Sequence, residues 1–555
     1  MATGTVRALR GAKEAVGDGP GAEGRPALHE GRPEADGCYA WYVAVILTVV
    51  YVFNFIDRNI LAILAQEIKS DLGLADAQLG FLYGTAFAVF YAVFGIPLGR
   101  LADTWIRARL IAIGLAFWSL MTALSGTARS FLSLAGYRIG VGVGESSASP
   151  AAYSMLCDYF PPRLRATAMS IYSSGIYIGA GIGVFLGGWV VDGWKTLFPH
   201  GGAPFGLHAW QAAFLVVGFP GVLLAVWVST LREPVRGRSD GIATAATHPR
   251  PFREFGRELL AVVPPLTVWS LFRTGAGQRA IARNLGFAAG LAAAAWALIA
   301  WLGNPAQWIA LAIGLYAFVS WVQSLAARDR PAFEMIFRSR ALVYGIIGFS
   351  WIAVVTNGFG FWAAAFFIRV HGVSAGEAGT VLGLTGAVGG LIGINAGGII
   401  SDRLKPRTPL ARVLVGFASI ALTAPTAVAM LLTTNLHVAY ALYFLFVVTA
   451  PMWIGPVVAT ANELVLPRMR GASSAFYILT VTFIGLALGP YAIGRVSDAF
   501  VAAGYSSADA LRSGLMVSLA SFVLAAVFLT LAGRHVGREE ANRFDRARAA
   551  GEEGL

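Results

Sequence analysis

Fourteen apolar runs divide this chain, near 41–65, 78–101, 110–127, 131–157, 167–191, 210–231, 284–303, 306–326, 341–369, 379–401, 409–433, 436–461, 472–497 and 511–533. Each is close to the roughly 20 mostly apolar residues that a helix needs to cross a bilayer. The pattern predicts an all-α polytopic membrane protein. Two runs are interrupted in an informative way. The first holds Asp57 and Arg58 side by side, and the fourth holds Arg138 and Glu145. A charge near the centre of a spanning helix costs about 2.5–3.5 kcal/mol on insertion scales. On a 3.6-residue period Tyr51, Asn54, Asp57, Arg58 and Leu61 share one face, which must look into a protein cavity and not at lipid. In the fourth run Arg138, Gly142, Glu145 and Ser149 share a face, and glycines at 140, 142 and 144 admit a close neighbour. Arg138 and Glu145 are ~10.5 Å apart along the axis, too far to pair with each other. Counted by helical rise, Asp57 and Arg138 lie level. If the spans are neighbours the two pair, which leaves Arg58 for an anion and Glu145 as a second protonatable group nearer the cytoplasm.

The runs form a repeat. Gly99-Arg-Leu-Ala-Asp103 recurs as Gly398-Ile-Ile-Ser-Asp402, and Pro162-Arg-Leu-Arg165 as Pro467-Arg-Met-Arg470. Gly188-Trp-Val-Val-Asp192 recurs as Gly494-Arg-Val-Ser-Asp498. Three matches in order indicate two six-helix halves in parallel orientation, 41–231 and 341–533. Residues 232–340 fall outside the repeat. They comprise an Arg-rich linker, a stretch at 255–272 broken by Pro264-Pro265 and expected to lie along the interface, and a two-helix hairpin at about 284–326, expected to be peripheral to the core. Two inserted spans preserve the orientation of the second half. Residues 1–40 read as a disordered tail and 534–555 as a second tail.

Composition adds little to this picture except by exclusion. The chain is 57% hydrophobic with a net charge of +12. With the N-terminus inside, most Lys and Arg fall in cytoplasmic loops, so the positive-inside rule accounts for the basic charge without nucleic acid. Both termini are then cytoplasmic, in a protein of the cell membrane. Two cysteines, Cys38 and Cys157, exclude a disulfide framework, and the seven His lack metal-ligand spacing. No nucleotide-binding motif, nucleophile or metal cluster points to a pump or an enzyme, and no cofactor is expected. Trp189, Trp194 and Trp210 are expected at the outer interface. Glu463 is expected to cap helices or pair with Arg468 or Arg470.

Two six-helix halves with Gly99…Asp103…Arg107 in one loop and Gly398…Asp402-Arg403 in the matching loop resemble the major facilitator superfamily. Ile106 stands where that family's pattern expects Gly, and Ala108 where it expects a basic residue. The resemblance implies that these residues act as a latch, Asp103 binding helix ends and Arg side chains when the cytoplasmic side is shut. Phe55-Ile-Asp57-Arg58, with Tyr137-Arg138-Ile-Gly140-Val-Gly142-Val-Gly144-Glu145 and Asn357-Gly358-Phe-Gly-Phe-Trp362, is similar to the spinster branch, whose members usually have twelve spans. That resemblance implies a monomeric, proton-linked transporter of lysolipids, sphingoid phosphates or related amphipathic anions, working by alternating access. Asp57 and Glu145 would carry the protons, Arg58 and Arg138 would hold the anionic head, and Tyr51, Asn54, Asn357 and Trp362 would be wall residues. The alternatives are a transporter of small organic or sugar acids or of drugs, and a non-transporting receptor.

Overall fold

The computed structural model describes residues 37–199, 202–236, 249–263, 266–273 and 277–552. Residues 1–36, Pro264-Pro265 and part of the Arg-rich linker lie outside the described residues. Every apolar run is a helix, generally longer than its run because polar ends continue it. The first span runs Gly37–Leu72, the second Asp76–Thr104 and the fifth Pro162–Leu197. Thirteen helices among the described residues are long and apolar enough to cross a membrane. The fourteenth span is the fourth in chain order, in two pieces, Phe131–Glu145 and Ala148–Tyr159. Its break has a local cause. Ser146 and Ser147 turn their hydroxyls back onto the Val143 and Gly144 carbonyls, at 2.7 and 2.8 Å. Pro150, one turn on, has no N–H to offer the Ser146 carbonyl.

The ends at which residues 37 and 552 lie are called the tail side here, and the opposite ends the far side. The described polar contacts that join the two halves lie on the far side or at mid-depth; those on the tail side stay within a half or run to the linker. Two far-side contacts are reciprocal. Asp192, ending the fifth span, accepts from Ser374 Oγ at 2.6 Å and Gly376 N at 2.9 Å, at the start of the tenth span Ala375–Leu404. Asp498, its repeat partner, accepts from Asp76 N and Ala77 N, both at 2.9 Å, at the start of the second span. Each half thus caps a helix of the other with a carboxylate against exposed N–H groups and the positive end of the helix dipole. Arg369 adds a fork onto Asp76, both bonds at 2.8 Å. Deeper in, the fifth and tenth spans touch backbone to backbone. A methyl on Gly181 would stand 2.4 Å from the Gly383 carbonyl oxygen, so only glycine fits.

Replacing both caps, Asp192→Ala with Asp498→Ala, removes two interactions worth about 0.5–2 kcal/mol each. We expect a buried cysteine reporter at Ala375 to react with a membrane-impermeant thiol reagent from the far side at least several-fold faster in this variant. An unchanged labelling rate would remove the caps from the closure.

The inserted hairpin comprises Gln278–Leu302 and Pro305–Arg328. Its first helix is almost wholly exposed, only Asn284 and Ala295 being buried. The second is not peripheral, contrary to expectation. Gln307 is bonded to Thr85 at 2.6 Å, and Gly314 sits against Val89 and Phe483, so the helix is seated where the second span of one half meets the thirteenth of the other. The C-terminal segment is also docked. Arg543 donates to the Glu463 carbonyl at 2.9 Å and Arg546 to the Met335 carbonyl at 3.1 Å. Arg468 binds Asp329 of the linker at 2.6 Å and also Glu552. Burial would raise the Asp329 carboxyl, but the Arg468 bonds and the Ala332 N–H outweigh it and hold it below the ordinary range.

Candidate functional site

Four ionisable side chains meet at mid-depth in the first half. Arg58 Nη2 donates to Glu145 Oε2 at 2.9 Å and to Asn54 Oδ1 at 3.5 Å. Its guanidinium lies 4.2 Å from the Phe87 ring centroid and 4.6 Å from that of Phe55. Glu145, Asp57 and Arg138 are fully buried, while Arg58 keeps 15% of its side chain accessible. The pair is not saturated: Arg58 Nε and Glu145 Oε1 have no hydrogen-bond partner among the described residues. Arg138 Nη1 donates to the Asp57 backbone carbonyl at 2.9 Å; among the described residues no donor meets the Asp57 carboxylate at full hydrogen-bonding geometry, and the Thr122 hydroxyl and Trp118 indole N–H are the donors that face it.

This corrects the pairing expected from depth. Asp57 and Arg138 are level, but the carboxylate does not meet the guanidinium, and Arg58 is not free. The reason is the lean of side chains toward a helix's own N-terminus. The first span starts on the tail side and the fourth on the far side. Arg58 therefore leans back toward Asn54, and Glu145 leans out to meet it. Asp57 leans to the tail side and Arg138 away from it, so the guanidinium reaches the Asp57 carbonyl, which points along its helix toward the far side.

Between the halves lies a cavity of ≈ 240 Å3. Arg58, Asn59, Tyr83, Thr356 and Asn357 supply its main polar surface. Phe55, Ile176, Phe446, Val447 and Leu486 are among its apolar lining, and Arg58 is the only charged residue among the described residues of the lining. Leu486 belongs to a π-helical stretch, Thr482–Leu488, inside the thirteenth span; such bulges recur at functional sites. Of the proposed wall residues, Asn357 lines the cavity and Asn54 stands behind Arg58. Tyr51 stacks on Tyr172 with ring centroids 4.3 Å apart, and buried Trp362 donates to the Pro490 carbonyl at 2.9 Å; neither lines the cavity. Arg138 lies beneath the surface as well. Asn59 and Tyr83, bonded to each other at 3.2 Å, were not singled out from the sequence. Asn59 lies one turn beyond Phe55 on the same face, which is the signal that could have found it.

On the tail side, a clamp within each half lies beside the expected latch residues. Arg107 is buried and bonds Asp158 at 2.5 Å, Glu233 at 2.7 Å and Ser154 at 2.7 Å. Arg412 bonds Glu463 and Asp402, both at 2.6 Å. Glu463 thus pairs with Arg412, and with Lys405 at 3.3 Å, not with Arg468 or Arg470. Each half clamps the start of its third span to the end of its fourth. The repeat register could have shown this, since one sequence interval separates Arg107 from Arg412, Asp158 from Glu463 and Pro162 from Pro467. Asp103 and Arg403 are exposed, a Cβ on Gly99 would stand 4.0 Å from the Pro150 side chain, and Asp103 makes no described ion pair to the other half. At the far side, Trp210 is buried with its indole on Asp71 at 2.8 Å, while Trp189 is exposed as an interfacial residue would be.

Residues 47–490 match the family described as Major Facilitator Superfamily. An MFS-type efflux pump of Mycolicibacterium smegmatis is 25% identical, over 87% of this chain and 90% of that protein. Protein spinster of Drosophila melanogaster is 21% identical, over 86% of this chain and 65% of that protein. Among solved structures, a bacterial homologue of the human lysosomal transporter Spinster, inward-facing and unoccupied, superposes with a TM-score of 0.68 at 26% identity. That match covers 90% of this chain and 98% of the other.

Proposed function

This chain belongs to the Major Facilitator Superfamily as a multi-pass transporter of the spinster branch, and we propose that it carries an amphipathic anion, such as a lysophospholipid or sphingoid-type phosphate, coupled to protons. The observation that carries this reading is the cavity between the halves, where one cation, Arg58, held by one buried acid, Glu145, faces an otherwise neutral and largely apolar lining. A cavity of ≈ 240 Å3 takes a head group and the first methylenes. The rest of the chain would run toward the tail side, where no described polar contact joins the two halves. The tail side is the cytoplasmic side in this reading, in keeping with the positive-inside rule, and the protein works as a monomer in the cell membrane.

The chemistry proposed is an exchange of partners. With Glu145 ionised, Arg58 is occupied. A proton on Glu145 releases the guanidinium, whose planar fork matches phosphate or carboxylate oxygens. Anion binding and proton binding then favour each other. Asp57, buried and faced only by the neutral donors Thr122 and Trp118 and by Arg138, is the second proton site, and Arg138 holds the backbone at its level. The clamps at Arg107 and Arg412 keep each half stiff, and the far-side caps break when the halves rock.

Competition for transport by the wild-type protein tests the cargo. Lysolipids of increasing chain length are expected to compete progressively better, each buried methylene being worth up to about 0.8 kcal/mol. Short polar acids competing as well as long-chain ligands would replace the lipid reading with a small-acid one.

A further inference from the structure

A second site lies on the linker, away from the cavity between the halves. The helices Pro251–Val262 and Leu266–Arg273 lie on the tail side, near the tail-side end of the hairpin's second helix. Arg250, Arg253, Arg257, Arg273 and Arg328 line an open cavity of ≈ 730 Å3 there, with Glu254 the only acid among the described residues of its lining. Arg257 bonds Glu254 at 3.0 Å and Arg328 bonds Glu258 at 2.9 Å, while Arg253 and Arg273 make no ion pair among the described residues, so these two carry the surplus of guanidinium charge.

The same short helix turns a second face to the membrane. Ser270 and Arg273 face the basic cavity, while Val268 closes one end of an apolar groove of ≈ 440 Å3 between the two hairpin helices. Leu291, Ala292, Trp296 and Ile313 are among the residues lining that groove. Trp269 and Phe272 are 58% and 72% exposed, as aromatic side chains at a membrane–water boundary are.

We propose that this is a binding site for an anionic diacyl phospholipid, with its phosphate in the arginine cradle and an acyl chain along the groove. Charge complementarity argues for the anion, because arginine forks match phosphate oxygens and juxtamembrane basic clusters gather anionic lipid. The groove argues for a lipid over a free phosphate, which would leave it unused. Because the hairpin's second helix is seated between the halves, a lipid held here would brace the linker against both.

The test is native mass spectrometry of the delipidated full chain with added phosphatidylglycerol, phosphatidylcholine of the same chains, or inorganic phosphate. Phosphatidylglycerol is expected to be retained at least fivefold above phosphatidylcholine. The exposed triple variant Arg253→Ala/Arg257→Ala/Arg273→Ala should reduce that retention to the phosphatidylcholine level. Ala292→Trp, which fills the groove without changing charge, should lower it as well. Equal retention of the two lipids, full retention in the triple variant, or displacement by millimolar inorganic phosphate would overturn the proposal. Loss in Arg58→Ala with retention in the triple variant would place the lipid in the central cavity and would also overturn it.

Discussion

Glu145→Gln is expected to exchange its cargo across the membrane but fail to accumulate it against a gradient. Glutamine keeps the shape and a hydrogen bond to Arg58 while removing both the charge and the proton site. Arg58 then stays available to the anion at every pH. The neutral amide competes for Arg58 less strongly than the carboxylate, a charge-assisted bond being roughly twice as strong, so anion affinity near neutral pH should rise about tenfold. In the wild type, binding should tighten as pH falls, because protonation of Glu145 releases Arg58; in the variant the profile should be flat. Binding titrations of the purified protein across pH read both effects. A variant that keeps the wild-type slope would remove Glu145 from the coupling.

Asp57→Asn should separate function from stability. The Asp57 carboxylate is fully buried and no donor among the described residues meets it at full hydrogen-bonding geometry, while Arg138 is held by the Asp57 backbone carbonyl. A buried charge that no donor meets at full geometry costs several kcal/mol, and the asparagine Oδ1 can still face Thr122 and Trp118, so the substitution should leave the melting temperature unchanged or higher. A structural role would give the opposite sign. Gradient-driven accumulation should nevertheless fall to background, because a proton site is lost. Unchanged uptake and pH dependence at matched expression would show that Asp57 carries no proton.

The span pattern, the parallel halves and the two-helix insert were legible because bilayer thickness and helical rise set lengths that hydropathy displays directly. The four charged residues of the site were legible for the same reason, each being costly at that depth. Their partners were not. Counting Cα depth placed Arg138 beside Asp57, whereas side chains lean toward their own helix N-termini, and in antiparallel spans this lean selects Arg58 for Glu145. The burial of Trp362 and Tyr51 was hidden because rotation about a helix axis depends on neighbours that lie far away in sequence. Asp192 and Asp498 were visible as a repeat, but their use as caps on the opposite half needs the crossing geometry. The seating of the Pro305–Arg328 helix between the halves left no trace in the repeat, since its contacts run through Gln307 and Gly314 to side chains outside the insert.

Protonation at Arg58–Glu145, with Asp57 as the second proton site, governs anion movement in this reading. This coupling is tested most directly by recording substrate and proton flux together in proteoliposomes under an imposed pH gradient, with a long-chain lysophospholipid as the probe. Substrate movement should then carry a matching proton signal in the same direction, both should stop when an ionophore collapses the gradient, and Glu145→Gln should retain exchange with a proton signal no longer matched to the substrate. Substrate accumulation that persists after collapse of the gradient, with no proton movement in the wild type, would contradict it.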